Sequence, residues 1–251
     1  MSERTSYTAG TFSWAELATS DAAAAKSFYA GLFGWEYDER PIPGGGAYVM
    51  ALRDGHHVAA LFQTDQQQPP HWNNYVTVDS ADVSATRAQE LGATVVAQPF
   101  DVMDAGRMAV VQDPTGGVLS VWEAREHAGA RLVNAPGAMT WNDLTTPDVD
   151  AAARFYAGWL GWRIEEIPGA EGYRVIFNGE RSNGGMRPDP SMPPFWMPYF
   201  GIEDVEDGME RVRELGGTVH AGPVPVPQGR FAAVADPQGA AFAIWAGTYD
   251  A

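Results

Sequence analysis

Two stretches of the chain, one in each half, decide how it folds. Residues 14–35 read WAELATSDAAAAKSFYAGLFGW, and residues 141–162 read WNDLTTPDVDAAARFYAGWLGW. The two stretches align without gaps at an offset of 127, and 12 of the 22 positions are identical. Self-similarity over this length indicates that the chain arose by duplication, so each half should form the same structure.

Further landmarks recur in the same order in both halves. The repeated pairs are Trp72 with Trp196, Gly106-Arg107 with Gly229-Arg230, Asp113-Pro114 with Asp236-Pro237, and Trp122 with Trp245. A chain of 251 residues is long enough for two domains with separate cores. We therefore predict domains at 1–123 and 138–251, joined by a linker at 124–137 that ends in a Pro-Gly pair.

Hydrophobic periodicity predicts the elements within each half. Residues Trp14–Thr19 alternate as a strand, and Asp21 and Asp148 are good N-caps for helices. The predicted buried helix faces are Ala25, Phe28, Tyr29 and Leu32 in the first half and Ala152, Phe155, Tyr156 and Trp159 in the second. Short strand-like runs follow each helix, at 47–55, 57–63 and 173–179 among others. The order is β-α-β-β-β, four times over, which predicts an α+β fold.

Composition excludes several classes of function. The net charge of −16 disfavours nucleic acid and anionic lipid as partners, because both are bound through clustered lysine and arginine. The absence of cysteine excludes disulfides, a thiolate nucleophile and cysteine metal sites. No apolar run approaches the length of a membrane span, and the N-terminus lacks a signal pattern. We expect a cytoplasmic protein that is a monomer or a weak homodimer.

Two motifs carry a family resemblance. The patterns L-x-x-x-D…F-Y-x-x-x-x-G-W and D-P-x-G-x-x-x-x-x-W each occur once in each half. Together with the order of the elements, they resemble the vicinal oxygen chelate superfamily of glyoxalase I, bleomycin-resistance proteins and extradiol dioxygenases. The tandem arrangement is similar to a double-domain actinobacterial branch described as antigens or hydroxylases. The resemblance implies four βαβββ units in two glyoxalase-like domains, with mixed sheets curled into open cups.

In active members of the family a divalent metal lies in the cup, held by His, Gln or Glu at the ends of strands. This chain departs from that pattern at all six of the positions where the resemblance places a ligand. They are Trp14, Asn73 and Ser120 in the first half and Trp141, Met197 and Ala243 in the second. None of these is a usual ligand of a divalent metal, and the five histidines lie elsewhere in the pattern. We expect no metal and no other cofactor.

Strand alternation predicts what lines the cups instead. Counting by twos from the six positions places one acid on each cup face, Glu16 and Asp143, as candidate catalytic residues. The candidate ligand-binding residues are Trp14, Asn73, Tyr75, Ser120, Trp122, Trp141, Met197, Tyr199 and Trp245. A carboxylate beside tryptophan is costly in a dry core, so an open aromatic pocket is one interpretation and a packed core is the other. Arg107 and Arg230 could pair with the cup acids or lie at an exposed edge.

Three functions remain open at this point. The first is a metal-independent protein that binds an apolar or aromatic metabolite, acting in resistance, in sequestration or, with Glu16 or Asp143 as a general base, in natural-product tailoring. The second is a metal-dependent lyase or dioxygenase with unusual ligands. The third is an interaction protein with vestigial cups. Whether the protein is an enzyme stays open, as do the identity of its ligand and the pairing of the four units.

Overall fold

A computed structural model describes residues 2–42, 46–64, 68–167, 169–170 and 172–249. After β1 (Ser2–Glu3), the first unit consists of β2 (Phe12–Thr19), α1 (Ala22–Phe33), β3 (Glu36–Pro41), β4 (Ala47–Arg53) and β5 (His56–Gln63). The second unit consists of β6 (His71–Thr77), α2 (Ala81–Glu90), β7 (Thr94–Val102), β8 (Gly106–Gln112) and β9 (Val118–Ala124). Both units have the predicted β-α-β-β-β order.

The second half repeats this order after β10 (Leu132–Val133), which pairs with β1. Its first unit consists of β11 (Met139–Thr146), α3 (Val149–Leu160), β12 (Arg163–Glu166), β13 (Arg174–Asn178) and β14 (Arg181–Pro188). Its second unit consists of β15 (Phe195–Gly201), α4 (Val205–Glu214), β16 (Thr218–Val226), β17 (Gly229–Ala235) and β18 (Ala241–Gly247). The chain thus holds four βαβββ units, as predicted.

Each half forms one eight-stranded sheet of mixed direction. The strand order is β3-β4-β5-β2-β6-β9-β8-β7 in the first half and β12-β13-β14-β11-β15-β18-β17-β16 in the second. The central strand β2 runs parallel to β5 and antiparallel to β6, and β11 has the same relation to β14 and β15. The two units of one half therefore share a sheet. This settles the pairing of units within the sheets, and the predicted α+β class is confirmed.

The two equivalent helices begin and end as the repeat predicts. The Asp21 side chain accepts a hydrogen bond from the Ala24 amide at 3.0 Å, and Asp148 accepts one from the Ala151 amide at 2.9 Å. Each helix ends at a glycine in the left-handed region, Gly34 at φ 69° in α1 and Gly161 at φ 71° in α3, where an L side chain would be strained.

The two halves share a core. One hydrophobic cluster contains Leu17 and Phe28 from the first half together with Phe200 and Phe242 from the second. Aromatic contacts cross between the halves, and the Phe12 ring lies 5.1 Å from the Trp196 ring. The opposite face of each sheet carries its own, smaller cluster, which forms the floor of a cup. The halves thus pack through one sheet face and keep the other for the cups.

Two predicted motifs meet across the boundary between the halves. The hydroxyl of Tyr156 on α3 donates to Asp113 Oδ2 at 2.8 Å, and that of Tyr29 on α1 donates to Asp236 Oδ2 at 3.1 Å. Asp113 and Asp236 also hold their own turns, by accepting from backbone amides. The turn aspartate of each half therefore anchors the helix of the other half.

The predicted linker is partly buried. Within it, β10 pairs with β1, and Ala130 is fully buried. The domain boundaries at residues 123 and 138 remain predictions. Of the helices in the described ranges, none is long and apolar enough to cross a membrane.

Candidate functional site

The cup of the first half is built on the alternation of β2. Trp14 and Glu16 point to one face of the sheet, while Leu17 points to the core between the halves. Across β6, Trp14 lies opposite Tyr75 and Glu16 lies opposite Asn73. The next parallel strand places Ser120 beside Tyr75 and Trp122 beside Thr77. The six residues predicted for this cup are thus brought to adjoining positions.

Glu16 lies at the centre of a hydrogen-bond cluster. The Tyr48 hydroxyl donates to Glu16 Oε2 at 2.7 Å, and the Tyr75 hydroxyl donates to Oε1 at 3.0 Å. The Trp14 indole N–H in turn donates to the Tyr48 hydroxyl at 3.1 Å. Burial raises the pKa of Glu16, and these hydrogen bonds only partly oppose that rise because they favour the charged form.

The second half builds the same cluster around Asp143. The Tyr199 hydroxyl donates to Asp143 Oδ2 at 2.7 Å, and the Tyr173 hydroxyl donates to Oδ1 at 2.8 Å. The Trp141 indole N–H also donates to Oδ1, at 2.8 Å, so this carboxyl accepts three hydrogen bonds. Burial raises the pKa of Asp143 as well. The Trp141 indole also donates to the Tyr173 hydroxyl at 3.1 Å, as Trp14 does to Tyr48. Each cup therefore carries one acid, two phenols and an indole, and only in the second does the indole bond the acid directly.

The tyrosines in these clusters are donors and not bases. Burial raises the pKa of Tyr48, Tyr75 and Tyr199 well above the ordinary value, and the neighbouring carboxyl raises it further. A phenol with such a pKa keeps its proton near neutral pH. The carboxyl is then the group of each cluster whose protonation can change.

Sequence reasoning missed Tyr48 and Tyr173, although both lie next to or within strand-like runs that it identified. The two tyrosines are equivalent, at an offset of 125. Tyr48 reaches the cup from β4, and Tyr173 from the position just before β13. Both strands lie two positions from the strand that carries the acid. The signal in the sequence was their recurrence near the offset of the repeat.

The two cup acids differ in length, and the residues opposite them on the neighbouring parallel strand differ in size. Glu16 lies opposite Ala60 on β5, whereas the shorter Asp143 lies opposite Gly185 on β14. A Cβ atom at Gly185 would stand 2.5 Å from Asp143 Oδ1 and closer still to the Tyr173 hydroxyl. Gly185 is therefore required for the close approach of Tyr173 to Asp143.

The donor groups of the cups do not fit the divalent metal that the family resemblance implies. At the six ligand positions the side chains are aromatic, amide, hydroxyl, thioether or methyl. Both oxygens of each cup acid already accept phenol hydrogen bonds. Within the described ranges, no three His, Cys, Asp or Glu side chains group closely enough to hold a metal ion. Imidazole and carboxylate donors, which such ions prefer, are too few here.

A segment of the chain covers the first cup at its tryptophan end. The His127 ring lies edge-on to the Trp14 ring at 4.5 Å, and the His127 carbonyl accepts from the Trp122 indole at 2.7 Å. Ala130 and Val133 belong to the same cluster as these rings. Trp14 is only 3% exposed and Trp122 only 6%. This end of the first cup is packed, while Glu16 and Asn73 remain partly exposed.

The second cup is less covered at the equivalent positions. Trp141 and Trp245 are both partly exposed, whereas Tyr199 and Met197 beneath them are buried. Trp141 packs on the cluster of Met197, Tyr199 and Ala243 beneath it, and Trp245 contacts the ring of Tyr249 at 4.9 Å. The two predicted cups therefore differ in access, although their polar clusters match.

Arg107 and Arg230 lie outside the cups. Arg107 pairs with Asp82 at 2.7 Å and with Asp101 at 3.0 Å, and Arg230 pairs with Glu206. Both arginines therefore hold strands β8 and β17, each next to the edge strand of its sheet, to helices α2 and α4. A separate, open groove of about 450 Å³ lies between the halves, lined by Arg53, Gly137 and Arg211 among others, and none of the cup residues faces it.

Comparison with known proteins agrees with the fold. Residues 14–122 match a glyoxalase-like domain family, and residues 137–244 match the glyoxalase/bleomycin resistance protein/dioxygenase superfamily. A manganese-bound glyoxalase from Novosphingobium aromaticivorans aligns with a TM-score of 0.68 at 18% identity, over 95% of this chain and 82% of its own. The 2,3-dioxygenase LapB of Pseudomonas sp. KL28 aligns with a TM-score of 0.69 at 14% identity, over 96% and 93%.

Two relatives resemble this chain over nearly its whole length. The Mycobacterium tuberculosis protein named "Putative glyoxylase CFP32" is 40% identical over 97% of each chain. The "Anthracycline biosynthesis protein DauV" of Streptomyces sp. strain C5 is 32% identical over 96% of this chain and 94% of its own. With both halves matched and the same tandem arrangement in these relatives, the chain belongs to the tandem-domain branch of the glyoxalase/bleomycin resistance protein/dioxygenase superfamily, the vicinal oxygen chelate proteins.

Proposed function

We propose that this protein binds a flat, apolar or aromatic metabolite in a cup of the vicinal oxygen chelate fold, without a metal ion. The observation that carries the proposal is the cluster of one acid, two phenols and an indole, which both halves build where the family resemblance places metal ligands. Such a cluster provides hydrogen-bonding groups of fixed orientation inside an aromatic wall. That combination is typical of small-molecule sites.

The walls of the cups favour planar ligands. Tryptophan and tyrosine faces stack on flat rings, and each such contact contributes about 1 kcal/mol beyond the area it buries. Trp141 and Trp245 offer partly exposed ring surface for this contact. Both carboxyl oxygens of Asp143 already accept hydrogen bonds from phenols. The ligand is therefore held mainly by contacts of its ring faces and ring edges with the tryptophan and tyrosine side chains.

The names of the relatives support the same class of ligand. Two relatives at 31–32% identity are named for anthracycline biosynthesis, and anthracyclines contain a flat fused-ring system. A role in handling natural products, by sequestration or by a tailoring step, is consistent with both the relatives and the cups.

A tailoring enzyme would use Glu16 or Asp143 as its general base. Burial raises the pKa of both acids, which moves them toward the range where a carboxyl exchanges protons near neutral pH. Glu16→Gln and Asp143→Asn separate the two versions of the proposal. Both changes should abolish turnover if the acid is a base, but only weaken binding by a few fold if the protein merely binds.

Ligand binding tests the proposal directly. Titration with anthraquinone and hydroxylated anthraquinones should quench a large part of the tryptophan fluorescence, with Kd values below about 100 μM. Trp141→Ala should weaken that binding by about 1–3 kcal/mol through lost aromatic contact. Exposed Arg163→Ala serves as the surface control. No response from any compound of the panel would refute the proposal.

The competing function is a metal-dependent lyase or dioxygenase, which the name of the glyoxylase-like relative favours. Metal analysis separates the two. Protein purified without an affinity tag should contain well under about one equivalent of Zn, Ni, Fe, Mn or Co per chain. One tightly bound equivalent that is lost on changing Glu16 or Asp143 would favour the metal-dependent enzyme instead.

A further inference from the structure

The two cups differ in charge at the position two residues after each acid on the central strand, which we call the rim of the cup. In the second half Thr145 lies between Arg187 on β14 and Phe195 on β15. At the equivalent place in the first half, Ala18 lies between Phe62 and His71. The second cup thus carries a permanent positive charge at a position where the first carries a phenylalanine.

Arg187 is held at this rim but is not neutralised there. Its Nε donates to the hydroxyl of buried Thr145 at 3.1 Å, and its side chain is partly exposed. Burial raises the pKa values of Asp143, Tyr173 and Tyr199, and the charge of Arg187 opposes that rise, so the guanidinium lies near the polar cluster. Over the described residues, Arg187 has no carboxylate within 4.0 Å.

The nearest acid along the chain is already bonded elsewhere. Asp189 Oδ1 accepts from the Ser191 amide at 2.9 Å and from the Ser191 hydroxyl at 2.6 Å. The bond from Nε to Thr145 is the side-chain hydrogen bond that Arg187 forms among the described residues, so the other donors of its guanidinium are free. Arginine presents its donors in a planar fork that matches a carboxylate or a similar oxyanion.

The ring surface and the charge belong to the same cup. Trp141, Asp143 and Thr145 lie on one face of β11, at every second residue. Trp141 and Thr145, which bonds Arg187, therefore flank Asp143 on its two sides. Adjacent residues on one face of a strand are about 7 Å apart. The two steps from Trp141 to Thr145, which holds Arg187, therefore span about 14 Å along the strand. This is about the length of a three-ring fused aromatic molecule with a substituent at one end.

We propose that the second-half cup is the ligand site of this protein, and that its ligand is a flat aromatic molecule bearing a carboxylate or another oxyanion, which Arg187 binds while the rings lie against Trp141 and Trp245. This inference rests on the proposed function and adds the site and the chemical class. A chain with a net charge of −16 repels anions in general, so binding an anion requires a local cation such as Arg187. The first cup is covered at its tryptophans and lacks this charge.

A matched pair of probes tests the inference. Anthracene-2-carboxylate and anthracene-2-carboxamide have the same ring system and differ in charge, and the anisotropy of their own fluorescence reports binding without relying on the protein's tryptophans. The wild-type protein should bind the carboxylate about tenfold or more tightly than the amide, the scale of one charge-assisted hydrogen bond. Raising the salt concentration should narrow this difference.

Variants then identify the residue and the cup. Arg187→Gln should remove the preference for the carboxylate and leave amide binding within about twofold, while Arg187→Lys should keep part of it. Arg181→Gln, at an exposed position of the same strand, should change neither affinity. Trp141→Phe should weaken binding of both probes, and Trp14→Phe should weaken binding of neither. Circular dichroism checks that each variant is folded.

The outcomes distinguish this inference from the proposed function. Equal affinity of the two probes for wild-type and Arg187→Gln protein would overturn the anionic class and leave the binding function standing. Loss of binding in Trp14→Phe but not in Trp141→Phe would assign the site to the first cup and overturn the inference. If neither probe nor any anthraquinone binds up to about 1 mM, the inference and the proposed function both fail.

Discussion

At the scale of single residues, the paired tryptophans of the cups have unequal surroundings. Trp14 packs against His127 and is 3% exposed, whereas Trp141 is partly exposed. Sequence analysis assigned the two tryptophans equal roles, either as walls of an open pocket or as packed core. The structure makes Trp14 part of a packed cluster and leaves ring surface on Trp141 available to a ligand.

The two substitutions to alanine should therefore differ in their effect on stability. Trp14→Ala removes a buried ring and should lower the free energy of unfolding by about 3–5 kcal/mol. Trp141→Ala removes a ring that water already reaches, and should lower it by about 1–2 kcal/mol. Chemical denaturation of the two variants beside the wild type measures this. Equal losses in both variants would mean that the second cup is packed like the first.

A second prediction at this scale concerns His127. Burial, together with His57 and Arg40, lowers its pKa from 6.5 to about 4. A base whose pKa falls on folding stabilises the folded protein fully above its unfolded pKa, and this stability is lost as the pH falls from 6.5 toward 4. Between about pH 8 and pH 5 the loss should be about 2 kcal/mol.

Replacing His127 by glutamine should remove that part of the pH dependence. Denaturation curves of wild type and His127→Gln at the two pH values give the comparison, and His220→Gln, at an exposed position, is the matched control. The prediction is contradicted if the free energy of unfolding changes by the same amount between the two pH values in the wild type and in His127→Gln.

At the scale of the elements, helices α1 and α3 do more than cover their own sheets. Trp196 donates to the Tyr156 hydroxyl at 2.9 Å, and Tyr156 donates to Asp113 of the other half. Trp72 and Tyr29 form the same chain of hydrogen bonds to Asp236. Each chain is buried, so loss of the tyrosine hydroxyl leaves the tryptophan N–H without a partner, while the aspartate keeps its backbone donors.

Removal of the tyrosine hydroxyl should be costly for this reason. Tyr156→Phe should lower the free energy of unfolding by about 2–3 kcal/mol, because it leaves the Trp196 N–H unpaired and removes a donor from buried Asp113. Tyr37→Phe removes only one hydrogen bond, to the Lys26 carbonyl within the same half, and should lower it by about 1 kcal/mol. A smaller loss in Tyr156→Phe than in Tyr37→Phe would show that the link between the halves contributes little.

The strands with the weakest sequence signal lie at the sheet edges. Strands β3 and β7 are mostly exposed, as are β12 and β16 in the second half. Without a continuous buried face they carry weak hydrophobic alternation, so their pairing partners rather than their own residues make them strands. The central strands, with one face in the shared core, were predictable.

At the scale of the whole molecule, the halves are joined by a common core rather than by a flexible connection. The shared cluster draws large side chains from both halves, and Trp35 and Trp162 each donate to a backbone carbonyl near the boundary, at Gly137 and Gly10. Separation of the halves would expose this surface to water. Duplication has thus produced two cups around one shared core.

Unfolding should accordingly be cooperative. Denaturation followed by tryptophan fluorescence and by far-ultraviolet circular dichroism should give a single, coincident transition, since neither half keeps its core without the other. A fragment of residues 1–123 expressed alone should lack the sharp transition of the full chain. Two well-separated transitions in the full chain would show that the halves are independent.

The sequence by itself determined the repeat, the four βαβββ units, the capped helices and the two acids on their strand faces. These features follow from local hydrophobic periodicity and from the recurrence of residues at a nearly constant offset, and both patterns can be identified in the sequence without knowledge of tertiary contacts. Four features were decided only by the tertiary structure. They are the roles of Tyr48 and Tyr173, the packing of His127 on Trp14, the bond from Tyr156 to Asp113 across the halves, and the position of Arg187 in the second cup. Each depends on which distant strands become neighbours, and that choice is made by packing the whole core, because residues far apart in sequence leave no periodic signal of their contact.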